Sequence, residues 1–385
     1  MGRRTIAAEP GRAATPLELF FDLVFVTAIA AAATQLHDGV VDSDWGVLGG
    51  YLMAFFAIWW AWVNYTWFAS AYDNDDVVFR LLTFVIMAGA LILAAGIPQL
   101  FDGGQSPIAV TGYAVMRLGL VVLWLRAARH DPGRRAIALS YAVGICVVQA
   151  FWIARLLIED ERLLVPTFAI GVVAELAVPF IAERAAHTPF NPERGAERSS
   201  LLVIIVLGEV VLATVGATQS AIAGDGGDRG VSLDLLLLVV GAFLVVVSLW
   251  WLYFRRDHAD LVGSAKGVWA FGYLHYLIYA AIAAAGAGIT AGVEVSTHHA
   301  HVAAQSVEWL VGAAVVTYLM TLSVLHLLGG DGVARTLGPA LVLSAAVLAV
   351  AAVGPGIGLS VLLMGLALTG GVVAYGGWDR KLVDG

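Results

Sequence analysis

Leu17-Glu18-Leu19-Phe20-Phe21-Asp22-Leu23-Val24-Phe25-Val26 is an apolar run interrupted by two acids spaced four apart. In a helix that spacing puts Glu18 and Asp22 on one face, a turn apart. An ionised carboxylate in hydrocarbon costs roughly 2.5 kcal/mol or more, so an acid held there pairs with a base or takes part in function. Leu207-Gly208-Glu209-Val210-Val211-Leu212-Ala213 repeats the device in the second half of the chain, with Glu209 standing where Asp22 stood.

Outward from these stretches the chain is apolar almost throughout. With 60% hydrophobic and 13% charged residues among 385, and a mean hydropathy of +0.86, it has too little polar surface to cover a water-soluble globule. An all-α polytopic membrane protein follows, and windows of about 20 residues place twelve transmembrane helices. They lie near 16–36, 46–69, 79–100, 107–128, 135–157, 163–183, 199–222, 232–254, 267–291, 304–328, 334–353 and 357–377. Met1 to Pro16 is polar and no cleavage site follows the first span, so that span is expected to be retained.

The net charge of −8 matters less than where Lys and Arg fall. With the N-terminus and the even-numbered loops on one side, seventeen of the twenty-one basic residues collect there. Only Arg155, Arg162 and Arg229 fall on the other side, and Arg117 lies within a span. One missed early span would erase this asymmetry, so it supports the span count and predicts both termini in the cytoplasm. The single cysteine, Cys146, can form no internal disulfide. Nucleic acid is excluded as a partner by the absence of basic tails and basic-aromatic patches. The lipid bilayer is the one partner implied.

Internal repetition organises the spans. Phe79-Arg80-Leu81-Leu82-Thr83-Phe84-Val85-Ile86-Met87-Ala88 lies against Phe271-Gly272-Tyr273-Leu274-His275-Tyr276-Leu277-Ile278-Tyr279-Ala280, and both run on to Gly-Ile, Gly96-Ile97 and Gly288-Ile289. Upstream, Ile58-Trp59-Trp60 matches Leu249-Trp250-Trp251. Six spans return the chain to its starting side, so two parallel six-helix repeats are expected, 1–184 and 199–385, joined by a polar cytoplasmic linker over 185–198. The tryptophan pairs read as parts of an interfacial aromatic belt.

Within the spans stand Glu18, Asp22, Arg117, Glu175, Glu209, His275 and Glu308. Arg117 is near the middle of the fourth span and requires a buried carboxylate; Glu209 and Glu175 are central in their spans and Asp22 shallower, and the order of preference is Glu209, Asp22, Glu175. Buried ion pairs also lock helices in register without transport or catalysis, and His275 reads as a satisfied packing histidine ahead of a proton relay. Asp73, Asp75, Asp76 and Arg80 form an acidic cluster of the Asp-x-Asp-Asp form, suited to proton donation or to a Mg²⁺-diphosphate, though acids ahead of a helix N-terminus explain it more simply. His298, His299 and His301, with Glu294 nearby, are weak metal-ligand candidates in a predicted loop, and no metal is assigned. No Walker loop, dinucleotide fingerprint, His-Glu-x-x-His or Gly-x-Ser-x-Gly is present, and no cofactor is implied.

Taken in order, these motifs resemble the bacterial low-temperature-requirement A (LtrA) family of membrane proteins. The likeness is carried by Glu18 to Val26 with Gln35-Leu36-His37, by Asp73 to Asp76 with Arg80, by Glu197-Arg198 ahead of Ile204-Ile205-Val206-Leu207-Gly208-Glu209, by Trp250-Trp251-Leu252-Tyr253-Phe254, and by His275. Gly195 and Tyr276 stand where the family often has His and Pro. The resemblance implies a bacterial inner-membrane protein linked by name to growth in the cold, and supplies no reaction. More distantly, Phe21-Asp22-Leu23-Val24-Phe25 looks like the signature that opens the six-helix repeats of a family of cation channels, with Leu23 in place of its glycine.

The expectation is a transporter or channel for a small solute or ion, with intramembrane carboxylates at the repeat interface and Arg117 as counter-charge. Two other classes stay open. One is a membrane-embedded enzyme acting on a lipid or isoprenoid, and the other a structural or regulatory protein of cold adaptation.

Overall fold

The computed structural model describes residues 14–103, 105–184, 188–223, 232–256, 265–297, 300, 302–330 and 332–383. Every regular element among them is helical. Twelve long helices run as α1 (Pro16–Val41), α2 (Val47–Tyr72), α3 (Val77–Gly103), α4 (Pro107–His130), α5 (Arg135–Arg155), α6 (Leu164–Ala182), α7 (Pro192–Ala223), α8 (Leu233–Phe254), α9 (Ala265–Ser296), α10 (Ala304–Leu328), α11 (Val333–Val353) and α12 (Ile357–Val383), with short 3₁₀ turns before α5 and α6. All twelve are long and apolar enough to cross a membrane.

Local chemistry sets where they begin. Thr15-Pro16 opens α1 with a capping box: Thr15 Oγ1 accepts from the Glu18 amide at 3.2 Å, while Glu18 Oε2 accepts from the Thr15 amide at 2.9 Å. Ser106-Pro107 opens α4 and Asn191-Pro192 opens α7 on the same plan, Ser106 Oγ accepting from Ala109 N and Asn191 Oδ1 from Arg194 N. Residues 192–198, expected in the polar linker, are therefore the first two turns of α7.

The chain divides into two compact units, Met1–Ala32 with Gly49–Arg198, and Ala33–Leu48 with Ser199–Gly385. In the first, α3 packs along α4, α4 on α5 and α5 on α6. Gly89 and Gly96 on α3, and Gly112 and Gly119 on α4, each recur after seven residues and so line one face. At Gly112 a Cβ would fall 2.6 Å from the Gly89 carbonyl oxygen and 2.8 Å from Leu93 Cα, so only hydrogen fits between these backbones. In the second unit α8 runs along α12 and α9 along α10. The central part of α9 is 83% buried, which explains its run of alanine and glycine from Ala280 to Gly292.

Candidate functional site

The first unit contains a ladder of buried charge. Glu18 and Asp22 on α1 meet Arg194 and Arg198 in the opening turns of α7, so two acids four apart face two arginines four apart, rung for rung. Arg194 Nη2 reaches Glu18 Oε1 and Asp73 Oδ2, both at 2.8 Å, tying the starts of α1 and α7 to the end of α2. Arg198 Nη2 reaches Asp22 Oδ1 at 2.5 Å, and Trp62 Nε1 donates to the same oxygen at 2.7 Å. Asp22 and Arg198 are wholly buried.

Arg198 lies 5.5 Å from the ring centroids of Phe21 and Trp62 and 5.7 Å from that of Tyr65, an aromatic box that favours a weakly hydrated guanidinium. Among the described residues, three polar atoms at this rung are buried without a hydrogen bond: Asp22 Oδ2, Arg198 Nε and Arg198 Nη1.

A second knot lies on α4 and α6. Arg117 pairs with Glu175 at 3.0 Å, correcting the order that put Glu209 and Asp22 first. Depth allowed Glu175 as well as Glu209 and could not choose between them, because which helix faces meet selects the partner. Glu175 accepts from Arg117 Nη2 at 3.0 Å, Trp60 Nε1 at 2.9 Å, Tyr113 Oη at 2.7 Å and Trp152 Nε1 at 3.1 Å. Four donors on α2, α4 and α5 fill its two oxygens, which is how a carboxylate serves as a fastener. Tyr113 also receives a hydrogen bond from Arg117.

Trp60 is thus no part of an interfacial belt. It and Trp59 are 2% and 4% exposed, whereas Trp250 and Trp251 on α8 are 45% and 51% exposed. A buried indole N–H needs an acceptor, and Glu175 supplies it to Trp60.

The acidic cluster after α2 is fully engaged by protein donors. Asp73 holds Arg194 and accepts from the Asp75 amide at 2.8 Å; Asp75 takes Arg80 bidentately at 2.9 Å on both oxygens; Asp76 takes Arg126 bidentately and caps α3 through the Phe79 amide at 2.9 Å. The Arg126 hydrogen bonds hold the Asp76 carboxyl well below the usual carboxylate range.

In the second unit Glu209 on α7 is half-buried and has no basic partner among the described residues. His275 on α9 sits with Nδ1 2.6 Å from the Phe271 carbonyl and Nε2 2.7 Å from the Tyr253 hydroxyl. A carbonyl only accepts, so Nδ1 carries the proton, and a neutral ring with Tyr253 donating to Nε2 satisfies both contacts. Glu308 on α10 is wholly buried. His298, His299 and His301 lie outside the described residues; Glu294, read with them, faces His37 Nε2 at 3.1 Å.

Residue-by-residue reading of the sequence missed Arg194, Trp62, Tyr113 and Trp152 as functional neighbours, and met Arg198 only inside a family motif. One signal for the arginines was available: their spacing of four matches that of Glu18 and Asp22.

The family described as bacterial low temperature requirement A protein (LtrA) matches residues 13–375. Uncharacterized protein RA0937 of Rhizobium meliloti (strain 1021) is 31% identical over 258 residues, 65% of this chain. The chain spans 60% of the length of that curated relative. The match runs from just before the capping box of α1 to within α12, taking in both ladder and knot: the chain belongs to the bacterial low temperature requirement A family, as a multi-pass membrane protein.

Proposed function

We propose that the chain is a proton-coupled carrier of a small solute or ion in the bacterial cytoplasmic membrane, with both termini in the cytoplasm and Asp22 as the acid that gains and loses the proton. The observation that carries this reading is the contrast between two buried acids in one unit. Glu175 has its oxygens filled by four donors, whereas Asp22 has both its hydrogen bonds on Oδ1 and a bare Oδ2. A saturated carboxylate has no lone pair to offer a proton; Asp22 does.

Charge points the same way. Protonating Asp22 takes the ionised partner from Arg198, the wholly buried guanidinium it faces. Release of Arg198 Nη2 from an ionised partner then frees the guanidinium to pair with an anionic solute, so proton and solute bind together at one rung. Glu209, half-buried without a basic partner among the described residues, is the corresponding acid of the second unit.

The two-repeat arrangement belongs to this reading. Gly96 of α3 abuts the backbone of Ala109 on α4, and its sequence match Gly288 of α9 abuts Val311 on α10, the next helix in each case. The basic residues, seventeen to three, support the orientation.

Proteoliposomes with an entrapped pH dye, challenged in turn with inorganic anions, inorganic cations and small organic acids under an imposed pH gradient, provide the test. Solute-dependent proton movement is expected, lost in Asp22→Asn with helix content unchanged. Movement equal to that of the unsubstituted protein in both Asp22→Asn and Glu209→Gln overturns the proposal, as does its absence from the unsubstituted protein.

A further inference from the structure

Far from Asp73 along α2, the first unit holds a cavity of about 70 Å³ beginning at Gly50. Gly50 precedes Asp73 by twenty-three residues, or about 34 Å at 1.5 Å per residue, so the cavity is at the other end of the spans from the charge ladder. Its walls are apolar side chains and rings from α2, α3, α4, α5 and α6, including Phe56, Leu93, Tyr113, Trp152 and Phe168. The Tyr113 hydroxyl and the Trp152 N–H are both turned to Glu175, so these residues give the cavity ring carbon rather than polar atoms.

One charged group lines it. Arg155, the last residue of α5, is 6% exposed and lies over the Phe168 ring at 5.7 Å. Its Nε donates to Thr167 Oγ1 at 3.3 Å and its Nη2 to the Leu164 carbonyl at 2.8 Å. Among the described residues Nη1 makes no hydrogen bond, and no carboxylate lies within 4.0 Å of the guanidinium. The other two most deeply buried arginines of this unit, Arg117 and Arg198, each have a carboxylate within 3.0 Å. A guanidinium does not shed its proton, so Arg155 is a buried cation with no counter-ion among the described residues.

Depth identifies the missing anion. Arg155 ends a span and so stands at the level of lipid headgroups, while Phe56 and Tyr113 lie about two turns inside α2 and α4, at the level of acyl chains. An anion at the first depth joined to a hydrocarbon chain at the second is an anionic phospholipid. We propose that this cavity binds one, with the phosphate on Arg155 Nη1 and the first methylenes of one acyl chain among the rings of Phe56, Tyr113, Trp152 and Phe168. Because Tyr113 and Trp152 also fasten Glu175, an occupied cavity holds the Arg117–Glu175 knot in place, and the lipid stabilises the unit.

Native mass spectrometry of the full chain in detergent, with phosphatidylglycerol, phosphatidylcholine or oleate added separately, tests the site. Phosphatidylglycerol is expected to bind about tenfold more tightly than phosphatidylcholine and to raise the thermal transition. Both gains should fall about tenfold, or vanish, in Arg155→Gln and in Val110→Trp, which fills the cavity from α4 and keeps the charge. Should Arg155→Gln not fold, Arg155→Lys takes its place, with partial retention expected because lysine keeps the charge without the fork. Phosphatidylglycerol binding unchanged in both Val110→Trp and the Arg155 variant overturns the proposal. Oleate binding that is lost in those variants while phosphatidylglycerol binding persists assigns the cavity to a free fatty acid and overturns it equally.

Discussion

Glu175→Ala separates a fastener from a working group. The substitution leaves Arg117 buried at 2% exposure with no carboxylate, and strips Trp60, Tyr113 and Trp152 of their common acceptor. Removing one partner of a buried ion pair costs about 3–5 kcal/mol. Three neutral donors orphaned in a membrane bundle add about 0.6 kcal/mol each, roughly 2 kcal/mol together. A loss of about 5–7 kcal/mol results, comparable with the whole stability of many proteins.

The double substitution Arg117→Met with Glu175→Met removes both charges at once. Apolar replacement of a buried pair is close to neutral, so only the orphaned donors remain and the loss shrinks to about 2 kcal/mol. Unfolding by titration with a denaturing detergent in mixed micelles, followed by circular dichroism, measures both. A Glu175→Ala loss under about 1 kcal/mol, or a double variant less stable than the single one, refutes the fastener.

Two further outcomes are expected. Gly112→Ala drives a methyl into the backbone of α3 and should cost at least about 2 kcal/mol, whereas Gly208→Ala, with nothing within 4 Å of the added carbon, should change stability little, as read in the same titration. Asp76 is held below its ordinary carboxylate value by Arg126, so its stabilisation is full above the unfolded value near 3.8 and fades as pH falls through the lower folded value. Acid unfolding of Asp76→Asn should lack that part of the pH dependence; identical acid limbs in both proteins would show that the Arg126 contact contributes nothing.

The twelve spans were legible in the sequence because the cost of placing a residue in hydrocarbon is paid locally, and a window of about 20 residues sums it. The helix starts were legible in principle through Thr15-Pro16, Ser106-Pro107 and Asn191-Pro192, where a capping oxygen precedes the one residue that needs no donor. Glu18 belongs to that local chemistry: its carboxylate closes a capping box, though it was read only as an acid in oil.

Pairing was a different matter. Arg117 and Glu175 are 58 residues apart and Asp22 and Arg198 176 apart, and no sum along the chain says which helix faces meet. Matching tryptophan pairs in the two halves likewise proved buried in one case and exposed in the other. The sequence by itself therefore determined that charge is held within the membrane, because hydropathy is additive along a chain. Only the tertiary structure decided that Glu175 is saturated and Asp22 is not, because the filling of an oxygen's lone pairs depends on the rotation and packing of helices distant in sequence.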